Sequence, residues 1–295
     1  MSALQRPYRP GRPIPGLPPY SIANVVRQLC PHDGKWRSGC ITTLNAADIQ
    51  ACTRALTNNH LWPPLRTLSA AIEFYKRRNT VFVGDSTVYN KYRYLHEVWA
   101  VPQQCNGVSD TPGVCMKRIY NQSCPLPHAP QRGVDAVVFG WGLWSLHLHP
   151  VRAAVPPDVN VATYYFWLKK CVEDLGAAYP NAAVVLKMTN HICEQQFRAP
   201  YSQAARWWNP RDQAVPRPFR PFDSEYLMQL TSVGTQTLNF LEDDVQAFIP
   251  TVVLVHSHTS NDTCACTGLG DGRHYAPLVP QFLVSLAAAL QAEMA

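Results

Sequence analysis

The sequence predicts an α/β protein whose parallel sheet carries helices on both faces, and three observations support this prediction. Short apolar runs rich in β-branched residues recur along the chain, as expected for strands that are buried on both sides. Segments with helical periodicity separate these runs, which is the pattern of parallel strands joined by crossover helices. Polar and ionisable residues directly follow the runs, at the edge where a parallel sheet binds its ligands. The predicted strands cover residues 81–83, 98–101, 135–140, 182–188 and 251–256.

The other segments follow in order around these strands. Six prolines among the first 19 residues predict an extended arm over residues 1–29. Residues 30–75 form a cysteine-containing segment that leads into the sheet, and residues 76–295 form the domain that holds it. Turn residues predict a long insertion over residues 102–133 and a long loop over residues 194–222. Helices are predicted over residues 46–56, 70–76, 87–96, 164–175, 227–248 and 278–292.

The ten cysteines indicate an oxidising compartment. Their number is even, their spacing is irregular and no Cys-x-x-Cys pair occurs, so a zinc site is not predicted. Two N-glycosylation sequons begin at Asn121 and Asn261. Together these features favour a disulfide-bonded protein of the secretory-pathway lumen, such as the Golgi, or of the extracellular space. A cytosolic protein with free cysteines in its core is the alternative.

Charge and hydropathy argue against two other classes of protein. The net charge of +6 suits anionic partners in general, but no basic stripe interleaved with aromatic residues is present, so we expect no nucleic-acid partner. No apolar run reaches the ~20 residues that a membrane span needs. The start is rich in Pro and Arg and does not resemble a signal peptide. The chain is therefore expected to be a fragment or to reach its compartment by another route.

Ser86 lies where the first predicted strand gives way to a helix, in the run Val83-Gly-Asp-Ser86. At such a turn the hydroxyl is exposed at the carboxyl end of the strand, and the first N–H groups of the helix point towards a bound group. This is a suitable place for a nucleophile whose reaction forms an oxyanion. The alternative is that Ser86 only caps the helix.

Asp271 and His274 lie three positions apart, just before the last predicted helix. This spacing can place both side chains on one side of a turn, so that His274 accepts a proton from Ser86 and Asp271 orients the imidazole. On their own, these residues also fit a simple turn with a histidine on the surface. A metal set of Asp271 with other histidines lacks zinc spacing, so no metal is expected; those histidines are His191, His256 and His258.

The Gly-Asp-Ser run and the Asp-Gly-Arg-His run before the last helix resemble those of the SGNH (GDSL-type) hydrolase superfamily. The chain is similar to its PC-esterase branch, which includes trichome-birefringence-like polysaccharide O-acetyltransferases and capsule and sialic-acid O-acetyltransferases. Residues 34–36, Gly-Lys-Trp, lie among cysteines that precede Ser86, as in the plant-type members. Residues 139–144 resemble their Phe-Asn-Thr-Gly-His-Trp-Trp block, and residues 186–191 resemble a strand that ends in a basic residue, Thr and His.

This resemblance covers the chain from about residue 30 to its end. It implies a three-layer, flavodoxin-like fold with a catalytic domain over residues 76–295. Ser86 would be the nucleophile, His274 the base and Asp271 the orienting acid.

The resemblance also implies which residues surround this triad. The family's Asn falls at Gly140 in this chain, so Asn190 is the candidate side-chain donor to the oxyanion. Lys187 stands where the plant enzymes usually have Arg, and it keeps the charge but loses the planar fork. The expected oxyanion residues, beside the Ser86 N–H, are Gly140, Gly142 and Asn190. The expected substrate-binding residues are Asp85, Trp141, Trp144, Lys187 and His191.

The expected activity is transfer of an acetyl group to a polysaccharide or glycan hydroxyl through an acyl-serine intermediate. The donor would be acetyl-CoA or another acetyl carrier, and no organic cofactor is implied. Two alternatives remain open: a glycan acetylesterase of the same fold, and a catalytically inactive glycan-binding protein. Aromatic residues fit sugar stacking or simple packing, and packing is the commoner role; they are Tyr92, Trp141, Trp144, Trp207 and Trp208.

Overall fold

The computed structural model describes residues 46–104, 112–119, 124, 126–143, 157–193, 232–267, 272 and 274–295. These residues form an α/β structure around a five-stranded, all-parallel sheet. The strands are β1 (Thr80–Gly84), β2 (Val114–Arg118), β3 (Ala136–Gly140), β4 (Ala183–Lys187) and β5 (Val253–Val255). The α-helices are α1 (Ala46–Asn58), α2 (Leu65–Lys76), α3 (Ser86–Arg93), α4 (Pro157–Ala178), α5 (Ser232–Phe248) and α6 (Val279–Glu293).

The strand order in the sheet is β2-β1-β3-β4-β5. Strand β1 therefore has β2 on one side and β3 on the other, and the chain reverses its winding direction there. Gly84 at the end of β1 pairs in register with Arg118 and with Gly140, so three strands end at the same level. Ligands of open parallel sheets bind outside the carboxyl ends of the strands at such a reversal.

The strands contribute side chains to two hydrophobic cores, because successive residues of a strand point to opposite faces. Phe82 and Val138 pack in one core with residues of α2, α3 and α6. Val83 and Phe139 pack in the other core with residues of α4 and α5. Burial on both sides explains the nearly continuous apolar character of the central strands β1, β3 and β4.

Four of the five predicted strands are confirmed, but the prediction of a strand at residues 98–101 is wrong. The helical path of α3 continues there as a π-helical turn, Tyr94–Val98, and the chain leaves it at Ala100 with a φ of 54°. Trp99 and Val101 are apolar because they pack in the core, which is the pattern that suggested a strand. The edge strand beside β1 is β2, which lies inside the segment predicted as an insertion.

The predicted helices are confirmed within the described residues, with differences of several residues at some ends. Three predicted segments lie outside those residues: the arm over residues 1–29, the start of the cysteine-containing segment to residue 45, and the loop over residues 194–222.

All seven described cysteines are disulfide-bonded. The pairs with both partners described are Cys52–Cys266, Cys124–Cys171 and Cys193–Cys264. These bonds are compatible with an extracellular or lumenal location. Within the described ranges, no helix combines the length and apolar character that crossing a bilayer requires.

Candidate active site

The turn between β1 and α3 presents Ser86 at the carboxyl edge of the sheet. Asp85 is the N-cap of α3, and its Oδ1 accepts hydrogen bonds from the backbone N–H and the hydroxyl of Thr87, both at 2.7 Å. Because Asp85 caps the helix, the alternative that Ser86 is only a cap is wrong. Ser86 is the first helical residue and is half-buried.

The glycine before this turn is required by a close backbone approach. A β-carbon at Gly84 would collide with the carbonyl oxygen of Gly140, the neighbouring strand end. That same oxygen accepts a hydrogen bond from the Asp85 N–H at 3.2 Å. The turn that carries Ser86 is therefore held tightly against β3.

Ser86 and His274 meet at this edge, although 188 positions separate them in the sequence. The Ser86 Oγ lies 2.7 Å from the His274 Nε2. The imidazole is buried, with 4% of the residue exposed, whereas Ser86 remains accessible in part. A hydroxyl and an imidazole at this distance have the geometry of a nucleophile and its general base. Asp271 lies outside the described residues.

Contacts on both sides of His274 hold it in position. The Gly272 carbonyl accepts a hydrogen bond from the Cys193 N–H at 2.8 Å, and Gly272 has a φ of 58°, which favours glycine. The Tyr275 hydroxyl donates to the His191 carbonyl at 3.1 Å. Cys193 is itself joined to Cys264. The segment that carries His274 is thus tied to the chain that follows β4.

The expected oxyanion residues lie where β3 and β4 end. Gly140 closes β3, and Gly142 is buried just beyond it. Asn190 is 1% exposed and follows Thr189 beyond the end of β4. A β-carbon at Gly142 would collide with the Thr189 hydroxyl, so the two strand ends are in close contact.

Replacing Gly142 with Ala is expected to push the two strand ends apart. Forcing a methyl group into this space is expected to cost about 1–3 kcal/mol of unfolding free energy. Gly176→Ala is the matched control, because a β-carbon there meets nothing within 4 Å and Ala favours the helix. Denaturant unfolding of both variants checks this prediction, and equal stability of Gly142→Ala and the parent protein would contradict it.

The expected substrate-binding residues have mixed positions. The Asp85 carboxylate is buried in the helix cap, and Lys187 is 2% exposed and donates to the Met188 carbonyl at 2.8 Å. Trp141 is 4% exposed and packs against Trp167, with ring centroids 4.8 Å apart. All three side chains are therefore buried at or just beyond the carboxyl ends of β1, β3 and β4.

His191 and the aromatic candidates complete this set. His191 is half-buried, and its backbone N–H donates to the Thr259 hydroxyl at 2.7 Å. Tyr92 is 7% exposed and stacks between Tyr89 and His96, so it packs rather than presenting a free ring face. Trp144, Trp207 and Trp208 lie outside the described residues.

Two buried amines, those of Lys91 and Lys187, interact electrostatically with Asp85. Burial lowers the pKa of Lys187 to about 8, and the charges of Asp85 and Glu242 oppose this shift. Burial and the Lys187 charge lower the pKa of Lys91 well below its usual range, against the opposing effect of Asp85. The Lys91 Nζ lies 5.3 Å from the centroid of the Phe282 ring.

Glu242 is a buried carboxyl that sequence reasoning missed. Its Oε2 accepts a hydrogen bond from the Thr189 N–H at 2.8 Å, and its Oε1 accepts from the Thr189 hydroxyl at 2.5 Å and from the Tyr164 hydroxyl at 2.8 Å. Burial raises the pKa of Glu242 to about 7, although these hydrogen bonds and Lys187 act in the opposite direction. A sequence signal exists, because Glu242 interrupts the apolar stripe of Leu238 and Val245 on α5.

The stability of the protein is expected to fall as Glu242 ionises. Its pKa is 4.5 in the unfolded chain and about 7 in the folded protein, so between these values the folded state holds a proton that the unfolded state has lost. The stabilising effect is complete below pH 4.5 and lost above pH 7, and amounts to about 3 kcal/mol.

Glu242→Gln removes this titration while keeping the size of the side chain. The unfolding free energy of the parent protein, relative to that of Glu242→Gln, is therefore expected to decrease by that amount as the pH rises through this interval. Denaturant titrations of the two proteins at several pH values measure it. Parallel pH profiles would show that Glu242 titrates alike in the folded and unfolded states.

One possible metal-ligand group occurs among the described residues, and its chemistry argues against a metal. His191, Cys193 and Cys264 bring their ligand atoms within 4.8 Å of one another. The two cysteines form a disulfide, so they cannot act as thiolate ligands while that bond is intact.

The chain contains a second Ser–His contact that differs from the first. The His258 Nε2 lies 2.9 Å from the Ser285 Oγ. Ser285 is an internal residue of α6, so the N–H groups around it serve the bonds of the helix. His258 and Ser285 thus form a Ser–His contact like that of Ser86 and His274, but no strand-to-helix turn supplies free N–H groups beside the serine.

Comparisons with known proteins return no relative on which a function could be based. No family model matches the sequence. No curated protein and no solved structure matches it either. The functional conclusion therefore depends on the geometry of the site and on the resemblance of its sequence motifs.

Proposed function

We propose that the protein is an SGNH-type O-acetyltransferase of the PC-esterase kind, acting on hydroxyls of a polysaccharide or glycan. The observation that carries this proposal is the 2.7 Å contact between the Ser86 Oγ and the His274 Nε2 at the carboxyl edge of a parallel sheet. The strand-to-helix turn beneath Ser86 and the reversal of winding at β1 support it. A three-layer, flavodoxin-like arrangement and a Golgi or extracellular location belong to the same proposal.

In the first half of the reaction, Ser86 Oγ attacks the carbonyl carbon of the acetyl donor, and His274 Nε2 accepts the hydroxyl proton. N–H groups at the start of α3 and in the 140–142 loop stabilise the tetrahedral oxyanion, with Asn190 as a side-chain donor. The intermediate collapses when the bond to the leaving group breaks and His274 returns the proton to that group. Asp271 orients the imidazole.

In the second half, a sugar hydroxyl attacks the acetyl-serine. His274 accepts the proton of that hydroxyl and passes it to Ser86 Oγ when the ester bond to the serine breaks. The acetylated sugar and the free serine are the products. Water in place of the sugar would give hydrolysis, so the exclusion of water decides between transferase and esterase.

Incubation with a chromogenic acetyl ester, with and without oligosaccharide acceptors, tests this proposal. The transferase is expected to consume the ester faster when an acceptor is present and to yield an acetylated oligosaccharide that mass spectrometry detects. Hydrolysis that no acceptor changes would identify an esterase instead. Glycan binding without any consumption of acetyl esters would identify an inactive binding protein.

A further inference from the structure

Glu242 lies beside the ends of the two strands that carry the candidate oxyanion donors. Its carboxyl receives both hydrogen-bond donors of Thr189, the residue before Asn190. On the other side, a β-carbon at Gly142 would lie 2.9 Å from the Glu242 Oε1. One carboxyl group therefore contacts the chain after β4 and faces the α-carbon of Gly142 after β3.

This arrangement is costly to maintain. Glu242 is completely buried, and it is surrounded on α5 by positions that pack in the hydrophobic core. A buried carboxyl must be compensated by hydrogen bonds, and an apolar residue of similar volume often gives equal or greater stability. The raised pKa of Glu242 is a consequence of this burial. Stability alone therefore does not account for a carboxyl at this position.

The hydrogen bonds define what that role is. Thr189 is held at its backbone N–H and at its hydroxyl, which restrains the Met188–Thr189 peptide and the Thr189 side chain directly before Asn190. The Tyr164 hydroxyl holds the carboxyl from α4, which fixes the carboxyl itself. Glu242 therefore holds the Thr189 segment in place beside the Gly142 turn.

We propose that Glu242 is a positioning residue that fixes the oxyanion hole by anchoring the chain after β4 beside the turn after β3. This inference rests on the proposed acyl transfer, because an oxyanion hole has meaning only if Ser86 becomes acylated. Glu242 acts through Thr189, and it affects the transition state more than the binding of the acetyl donor. The length of the side chain matters more than its charge. A neutral amide of the same length can accept from the Thr189 N–H and donate to the Thr189 and Tyr164 hydroxyls.

Two variants separate the effect of side-chain length from the effect of charge. Glu242→Asp keeps the carboxylate but withdraws it by one methylene group, and Glu242→Gln keeps the length but removes the charge. In single-turnover acetylation of Ser86 by a chromogenic acetyl ester, we expect Glu242→Asp to lower the maximal rate by about 100-fold, the effect of losing an oxyanion donor. We expect Glu242→Gln to stay within a few-fold of the parent protein. The ester concentration at half-maximal rate is expected to be similar in all three.

Two further results would overturn the proposal. Acetylation of Glu242→Asp at the parental rate would show that this carboxyl positions nothing, and equal damage in Glu242→Gln would show that charge is what matters. Thermal melting establishes that each variant is folded at the assay temperature. If Glu242→Asp does not fold, Thr189→Val provides the same test. It removes the bond from the Thr189 hydroxyl to Glu242 and is expected to lower the maximal rate of Ser86 acetylation. A parent protein that never acetylates Ser86 would instead contradict the proposed function.

Discussion

Replacing Ser86 with Ala is expected to abolish labelling by a serine-reactive fluorophosphonate and to lower acetyl turnover by roughly 10⁴- to 10⁶-fold. The hydroxyl that contacts the His274 Nε2 at 2.7 Å is the atom that would form the covalent intermediate. Removing it leaves the helix cap intact, because Asp85 supplies the capping oxygen. The variant is therefore expected to fold with a melting temperature close to that of the parent protein.

Ser285→Ala is the matched control for this variant. Ser285 also contacts a histidine, with its Oγ 2.9 Å from the His258 Nε2, but it lies inside a helix. We expect Ser285→Ala to keep full labelling and turnover. Labelling that persists in Ser86→Ala and disappears in Ser285→Ala would identify Ser285 as the reactive serine and contradict the proposal. A folded Ser86→Ala with parental turnover would end the acyl-serine proposal.

Replacing His274 with Asn is expected to lower turnover by roughly 10⁴-fold, because Asn cannot accept the serine proton at neutral pH. Ser86 remains in place in this variant, so slow labelling by the fluorophosphonate is expected to persist and to become faster at high pH. The rate of labelling as a function of pH measures this difference between losing the base and losing the nucleophile.

His258→Asn is the corresponding control for the histidine. Its backbone has a φ of 58°, a conformation that Asn tolerates well, so the replacement should not disturb folding. We expect its turnover to equal that of the parent protein. An equal loss of turnover in His258→Asn and His274→Asn would mean that histidines at this edge act on folding or binding rather than on proton transfer.

The contact between Ser86 and His274 could be expected from sequence because local signals, one topological rule and the resemblance of the Gly-Asp-Ser and Asp-Gly-Arg-His runs to those of SGNH hydrolases point to it together. A buried strand followed by Gly-Asp-Ser places the hydroxyl at the carboxyl end of β1. The segment before the last helix reaches the same edge because the strands are parallel. The prediction needed no knowledge of the strand order.

The edge strand β2 could not be predicted, because its sequence carries too little pattern. Val-Cys-Met-Lys-Arg lacks the continuous apolar character of a central strand, and Lys117 is half-buried and donates to the Tyr179 hydroxyl at 2.9 Å. Residues 98–101 have more β-branched and apolar character, so the sequence predicted a strand there instead. Tertiary packing of Trp99 and Val101 decided their structure.

The groups beneath the site were also beyond sequence reasoning. Glu242 is far from Thr189 in sequence, and the packing of α5 brings the two together. Lys91 lies on the same helix as Ser86, but its interaction with Asp85 depends on burial in the folded protein. A charged residue within an apolar helical stripe was the available signal. Such a residue indicates that a buried partner exists, but it does not identify that partner.

The most direct measurement is mass spectrometry of the protein and its peptides after brief exposure to an activated acetyl ester and acid quenching. We expect one acetyl adduct on the peptide that contains Ser86, absent from Ser86→Ala and discharged on adding an oligosaccharide acceptor. An intact protein that consumes the ester without any adduct on that peptide, or that carries the adduct elsewhere, would contradict acyl transfer through Ser86.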